Sequence, residues 1–105
     1  MNGLFHTVLI TFKEGTLPET KNTIYHLYQT LARNCGGKEA GILFWKVDWN
    51  LDKRKNVELV EVAIFENNET FQTFRSHPSH QQIVTLLAQV ADWQVGDIMI
   101  DSIPL

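Results

Sequence analysis

Two of the four histidines in this 105-residue chain stand three apart in "SHPSH", His77 and His80 on either side of Pro78. Imidazole titrates near neutrality, so a histidine pair is the natural place to look for general acid/base chemistry. Residues three apart also share one face of a helix. A third histidine, His6, lies in "LFHTVLITFK" on the otherwise apolar set His6, Val8, Ile10 and Phe12. An imidazole there needs a hydrogen-bonding partner, or it costs on the order of 1–3 kcal/mol. If helices cover that set, His6 and His80 converge between sheet and helix, in an apolar-walled space with few polar groups, the usual make-up of a small-molecule site. Asp97, on the strand expected beside the first, is then a candidate to hold one imidazole in a single tautomer. Each residue also has a plainer role: His77 as a helix cap, His80 as a hydrogen-bonded core residue, Asp97 as a strand-end contact and His26 as a surface residue.

The remaining reactive side chains point to structure. Glu61, a carboxylate between Val60 and Val62, reads as a partner for Lys46 or Lys13 across a dimer. Cys35, the single cysteine, precedes "GG" with no base near it in sequence, and reads as a small buried side chain. His6, His77 and His80 have no fourth ligand spaced to join them, so neither a metal nor another cofactor is expected.

These residues are carried by a β-α-β-β-α-β order. Alternation of β-branched and aromatic residues from Leu4 to Lys13 predicts a strand with both faces at least partly covered. Pro18 opens a helix through about Asn34, with Ile24, Leu27, Tyr28 and Leu31 as its buried stripe and Gly36 and Gly37 as its stop. "GILFWKVDW" is the second strand, with Leu43, Trp45, Val47 and Trp49 on one side and Ile42, Phe44, Lys46 and Asp48 on the other. Val57 to Glu66 is the third. Asn67 or Asn68 caps a second helical region that is interrupted at His77-Pro78 and resumes through "SHQQIVTLLAQVADW". The last strand runs from about Gln94 to Ile103. This is the ferredoxin-like α+β plan, a four-stranded antiparallel sheet with both helices on one face, formed by one domain over residues 1–105. Trp45, Val47 and Trp49, with the apolar alternation of strands one and three, are too much hydrophobic surface to leave wet, and a two-fold homodimer packing sheet on sheet would cover it.

Composition narrows the partners. A formal net charge of -3 argues against nucleic acid and acidic membranes, and "KRK" at Lys53 to Lys55 is short enough to be a solvated turn. The N-terminus lacks the pattern of a signal peptide, and no run approaches the ~20 apolar residues of a membrane span. One unpaired cysteine suits a reducing compartment, so a cytoplasmic protein is expected.

"FRSHPSH" leading into an amphipathic helix, then "ADWQVGDI", together with the opening "FHTVLITFKEGT", resembles the stress-responsive α/β-barrel (Dabb) family over nearly the whole chain. The resemblance implies ferredoxin-like protomers paired into a dimeric α+β barrel. The family includes stress-tolerance proteins and the plant olivetolic acid cyclase, which closes a linear polyketide by an intramolecular aldol reaction. What that cyclase implies here is His80 as the acid/base, assisted by His6, with His77 as the first histidine of the motif. The cyclase's assisting tyrosine is matched by Phe74, so a hydroxyl that would orient a carbonyl is missing at that position.

Two readings follow. One is a dimer with a small-molecule pocket, binding a ligand or doing cofactor-independent cyclase- or lyase-like chemistry with His80 and His6, and with His77, Phe74 and Asp97 against the ligand. The other is a non-enzymatic stress or stability protein whose apolar surfaces serve assembly alone. By fold analogy, a monooxygenase-like or haem-binding barrel is a further alternative.

Overall fold

Strand β1 (Gly3–Phe12) alternates between side chains sealed under helices and side chains left half-covered, and this division organises the whole computed structural model, which describes residues 2–101. The other elements are α1 (Pro18–Asn34), a 3-10 turn (Gly37–Ala40), β2 (Ile42–Trp49), β3 (Leu59–Phe65), α2 (Asn68–Ser76), α3 (Pro78–Val90) and β4 (Ala91–Ile100). The four strands form one antiparallel sheet in the order β2-β3-β1-β4, so the ferredoxin-like α+β fold expected from the element order is present. Leu4, His6, Val8, Ile10 and Phe12 of β1 and Leu59, Glu61, Ala63 and Phe65 of β3 are buried on the helix side. Ile24, Tyr28 and Leu31 of α1, Phe71 and Phe74 of α2, and Ile83 and Leu87 of α3 complete this core.

Two expectations about the sheet are corrected. A register shift between Ile42 and Phe44 puts Ile42 on the same buried side as Val47, because the bulge adds one residue to the alternation. Trp45, Val47 and Trp49 do not face the uncovered side. The Trp45 indole Nε1–H donates to the Tyr28 carbonyl at 2.9 Å, and Trp49 stacks on Tyr25 with ring centroids 5.0 Å apart, so both belong to the α1 contact. The uncovered side is instead crossed by one apolar row, Phe44, Ile64, Phe5 and Ile98, in register over all four strands. Phe44 is 47% exposed and Ile98 62%, so this row is the surface with most to gain from a partner.

The helical region divides at His77, whose extended backbone ends α2 before Pro78 opens α3, as the residue before a proline prefers. Asn67 caps α2 by accepting from the Thr70 N–H at 2.9 Å. Its expected continuation through Trp93 is corrected: α3 stops at Val90 and β4 begins at Ala91 with no residue between them. Pairing with β1 as far as Phe12 and Ala91 offers ladder bonds to a backbone that a longer helix would have used. The end assigned to that strand at Ile103 lies outside the described residues. The 3-10 turn was not anticipated. Gly41 closes it at φ 85, its missing Cβ leaving room for Thr70.

Candidate functional site

Alternation on β1 and pairing with its two neighbours bring three titratable groups together. His6 and Asp97 are directly opposite on β1 and β4, whereas Glu61 sits one rung along β3, opposite Val8. His6 Nδ1 lies 2.5 Å from Asp97 Oδ1, and His6 Nε2 lies 2.8 Å from Glu61 Oε2. The second contact is an ion pair by distance but lacks the alignment of a hydrogen bond, which leaves Glu61 Oε2 buried without an aligned donor. Glu61 is only 2% exposed. Its alternation with Leu59, Ala63 and Phe65 explains why: it points under the helices, and not toward Lys46 or Lys13 across a dimer.

Charge follows from this geometry. Burial alone would lower the His6 pKa, but the carboxylates of Glu61 and Asp97 outweigh it and raise it above the ordinary histidine value. Burial raises the Glu61 carboxyl, with Asp97 adding to the rise and His6 opposing it. Both ring nitrogens of His6 are engaged by acceptors, so the imidazolium form satisfies the most partners.

His6, Glu61 and Asp97 form part of the lining of a cavity of about 620 Å³ between sheet and helices, and His80 lies on the same lining. Apolar walls come from Val8, Phe71, Val84, Leu87, Trp93 and Val95. His80 Nδ1 is 3.0 Å from the Arg75 carbonyl, which can only accept, so the proton sits on Nδ1 and Nε2 carries the lone pair. Burial lowers the His80 pKa; the Arg75 carbonyl opposes this, and the charges of His6 and the Arg75 guanidinium add to the lowering. His80 is therefore a neutral base at neutral pH.

Other candidates have different places. His77 caps α3, its Nδ1 accepting from the Ser79 N–H at 3.1 Å, and is not on the cavity lining. Phe74 is buried behind His80, ring centroids 4.7 Å apart, and is likewise off the lining. Cys35 is buried; desolvation pushes its thiol up, offset in part by the His80 backbone N–H, so it is held as a thiol.

Besides Glu61, two titratable lining residues, Tyr28 and Arg75, were not singled out from sequence as site residues. Tyr28, expected only in the buried stripe of α1, reaches this cavity; burial first, and then the Glu61 charge, raise its phenol well above the usual range. Its hydroxyl stays protonated and is a donor. Arg75 precedes the histidine motif and lies over the Phe71 ring at 5.8 Å. A separate groove of about 560 Å³ between α1 and α3 is lined by apolar and neutral polar side chains such as Leu27, Leu31, Gln82 and Leu86, so it offers no acid or base. Among the described residues, no group of three or more His, Cys, Asp or Glu side chains has the arrangement of a metal site.

Residues 4–100 match the profile of the stress-responsive A/B barrel domain. The chain belongs to this family, Dabb. Solved structures share the fold of this Dabb domain. A dimeric ferredoxin-like protein of unknown function from Thermobifida fusca has a TM-score of 0.81 at 16% identity, covering 94% of this chain and 92% of its own. The hydroxynitrile lyase from Passiflora edulis has a TM-score of 0.79 at 16% identity, covering 97% of each chain. A Dabb-family protein from Mesorhizobium loti has a TM-score of 0.76 at 13% identity, covering 100% of this chain and 99% of its own. Identities this low carry the fold alone. No functionally curated protein matches the Dabb chain in sequence. Among its described residues, no helix is long and apolar enough to cross a membrane.

Proposed function

We propose that this Dabb protein is a homodimer that binds a small carbonyl compound in the 620 Å³ cavity and moves a proton at the carbon next to the carbonyl. The observation that carries the reading is His80, a neutral base on the cavity lining whose Nδ1 proton is tied to the Arg75 carbonyl and whose Nε2 has no hydrogen-bond partner among the described residues. Nε2 takes the proton from carbon, the C–H electron pair becomes the C=C bond of an enolate, the carbonyl π pair moves onto oxygen, and the imidazolium, after exchange with solvent, returns a proton to the carbon. Tyr28 supplies the hydrogen bond that this oxygen needs as charge develops, from α1 in place of the hydroxyl absent at Phe74. Val8, Phe71, Val84, Leu87 and Trp93 offer apolar contact to the rest of the ligand, beside the polar side chains of Gln72, Ser76 and Gln81. The same proton bookkeeping serves an aldol closure or the release of a leaving group beside a carbonyl, and a lyase and a cofactor-independent oxygenase both stand among the proteins of similar fold.

The test is deuterium exchange into 4-phenylbutan-2-one in D2O, followed by proton NMR. Wild-type protein is expected to accelerate exchange beside the carbonyl over buffer, and His80→Ala is expected to lose this with its circular dichroism unchanged. Equal exchange with both proteins, or none above buffer with wild type, would remove the enzymatic reading in favour of an assembly protein.

A further inference from the structure

The clamp on His6 is more than its burial requires. Position 61 alternates with Leu59, Ala63 and Phe65, and an apolar residue there would avoid burying a carboxylate with one unaligned oxygen. Buried ion pairs are frequently no more stabilising than well-packed apolar groups, so stability is a weak reason for this one. His6, with both nitrogens against carboxylates, has no free atom to offer a ligand. It nevertheless lines the same cavity as His80.

We infer that Glu61 is a positioning residue for His80: together with Asp97 it clamps His6 as an imidazolium, whose charge acts across the cavity and holds His80 as the neutral base. The inference deepens the acid/base reading and rests on it for its functional meaning. Glu61 from β3 and Asp97 from β4 contact His6, and the other titratable groups on the shared lining are Tyr28 from α1, Arg75 from α2 and His80 from α3. Those around His80 are the Arg75 guanidinium and carbonyl, the Cys35 thiol and His6. Among these groups only His6 and Arg75 bring positive charge toward His80, and only His6 is held by two carboxylates. A like charge nearby disfavours protonation, and His6, itself buried, has its charge screened less than it would be in bulk water.

The experiment is an NMR titration of the imidazoles in the intact protein, with no ligand added, on wild type, Glu61→Gln, His6→Gln and Phe71→Leu. In wild type, His6 is expected to titrate above 6.5 and His80 below it. In Glu61→Gln the His6 midpoint should fall, and in His6→Gln, where the cation is absent at every pH, the His80 midpoint should rise by on the order of half a unit or more. Loosened packing would also raise His80, so His80 must rise in His6→Gln and stay in place in Phe71→Leu, which loosens the same wall beside His6 and keeps the cation. If Glu61→Gln does not fold, Asp97→Asn removes the other carboxylate and must lower His6 in its place. An unmoved His80 in His6→Gln, an unmoved His6 in whichever carboxylate variant folds, or a wild-type His6 at or below 6.5 overturns the inference. Coupled histidines in a protein that exchanges no ketone protons would instead overturn the acid/base reading and leave the clamp standing.

Discussion

Replacing Ile64 with lysine places an ammonium in the apolar row that crosses the open face of the sheet, between Phe44 and Phe5. Ile64 is already partly covered within one protomer, so a partner's sheet would remove only its remaining contact with water, worth at most on the order of 1 kcal/mol of the ~1.5–3 kcal/mol for a whole branched side chain. A two-fold interface counts that loss twice. Each ammonium trapped under the partner adds a desolvation cost of several kcal/mol, so the total exceeds ~5 kcal/mol, or more than ~1,000-fold in the dimer dissociation constant. In the separated protomer the lysine stem can run along the face and put its charge in water, so the fold should survive. Sedimentation velocity at micromolar concentration should show wild type at twice 12.1 kDa and Ile64→Lys at 12.1 kDa, with matching circular dichroism. Leu51→Lys is the control, since Leu51 is 94% exposed in the β2–β3 connection, away from the row. A dimeric Ile64→Lys protein, or a monomeric wild type, would refute the assignment of the interface to this face.

Three further outcomes follow from the site and its frame. Tyr28→Phe should lower the ketone exchange rate by about 100- to 1,000-fold with little change in ligand affinity, the usual effect of deleting one donor to a developing oxyanion; an unchanged rate would leave Tyr28 as packing only. Because the His80 pKa is lowered, the base form persists on the acid side of the ordinary value, and the rate should fall only as pH drops through a midpoint below 6.5; an acidic limb at or above 6.5 would contradict that. Gly41→Ala should destabilise by roughly 1–3 kcal/mol in urea unfolding, since φ 85 is strained for alanine and the new Cβ would approach Thr70 Cγ2 to 2.6 Å.

The order of elements was legible because each has a local cause: alternation in β1, Pro18 and the glycines bounding α1, Asn67 before α2, and the His77-Pro78 break. Asp97 could be placed beside His6 for the same reason, since neighbouring strands of a ferredoxin-like sheet constrain which residues meet. Glu61 was misjudged because one carboxylate in an apolar strand does not announce its face until the strand's parity is counted from Leu59, Ala63 and Phe65. The bulge at Ile42 and Phe44 is invisible to strict alternation and hid the side of Ile42, whereas the composition of the open face turned on which side of β2 is covered by α1, which alternation within β2 does not announce. Tyr28 was recognised as buried, but burial alone does not say which cavity a hydroxyl reaches. That depends on how α1 lies across β2, which the Trp45 and Trp49 contacts decide.

The joint at Val90 and Ala91 has a consequence for how the length of this chain can vary. With no slack between α3 and β4, the phase of the strand is counted directly from the helix that carries His80. One residue inserted there would bring Gly96 to the rung opposite His6 and turn Asp97 to the far side of the sheet; two would restore the side but leave Val95 on that rung. The polar connection at 50–58 has no such parity constraint, because no ladder is counted across it from one site residue to another. A length polymorphism is therefore tolerable in that connection, whereas at the helix–strand joint even the smallest one disconnects the His6 clamp from the base.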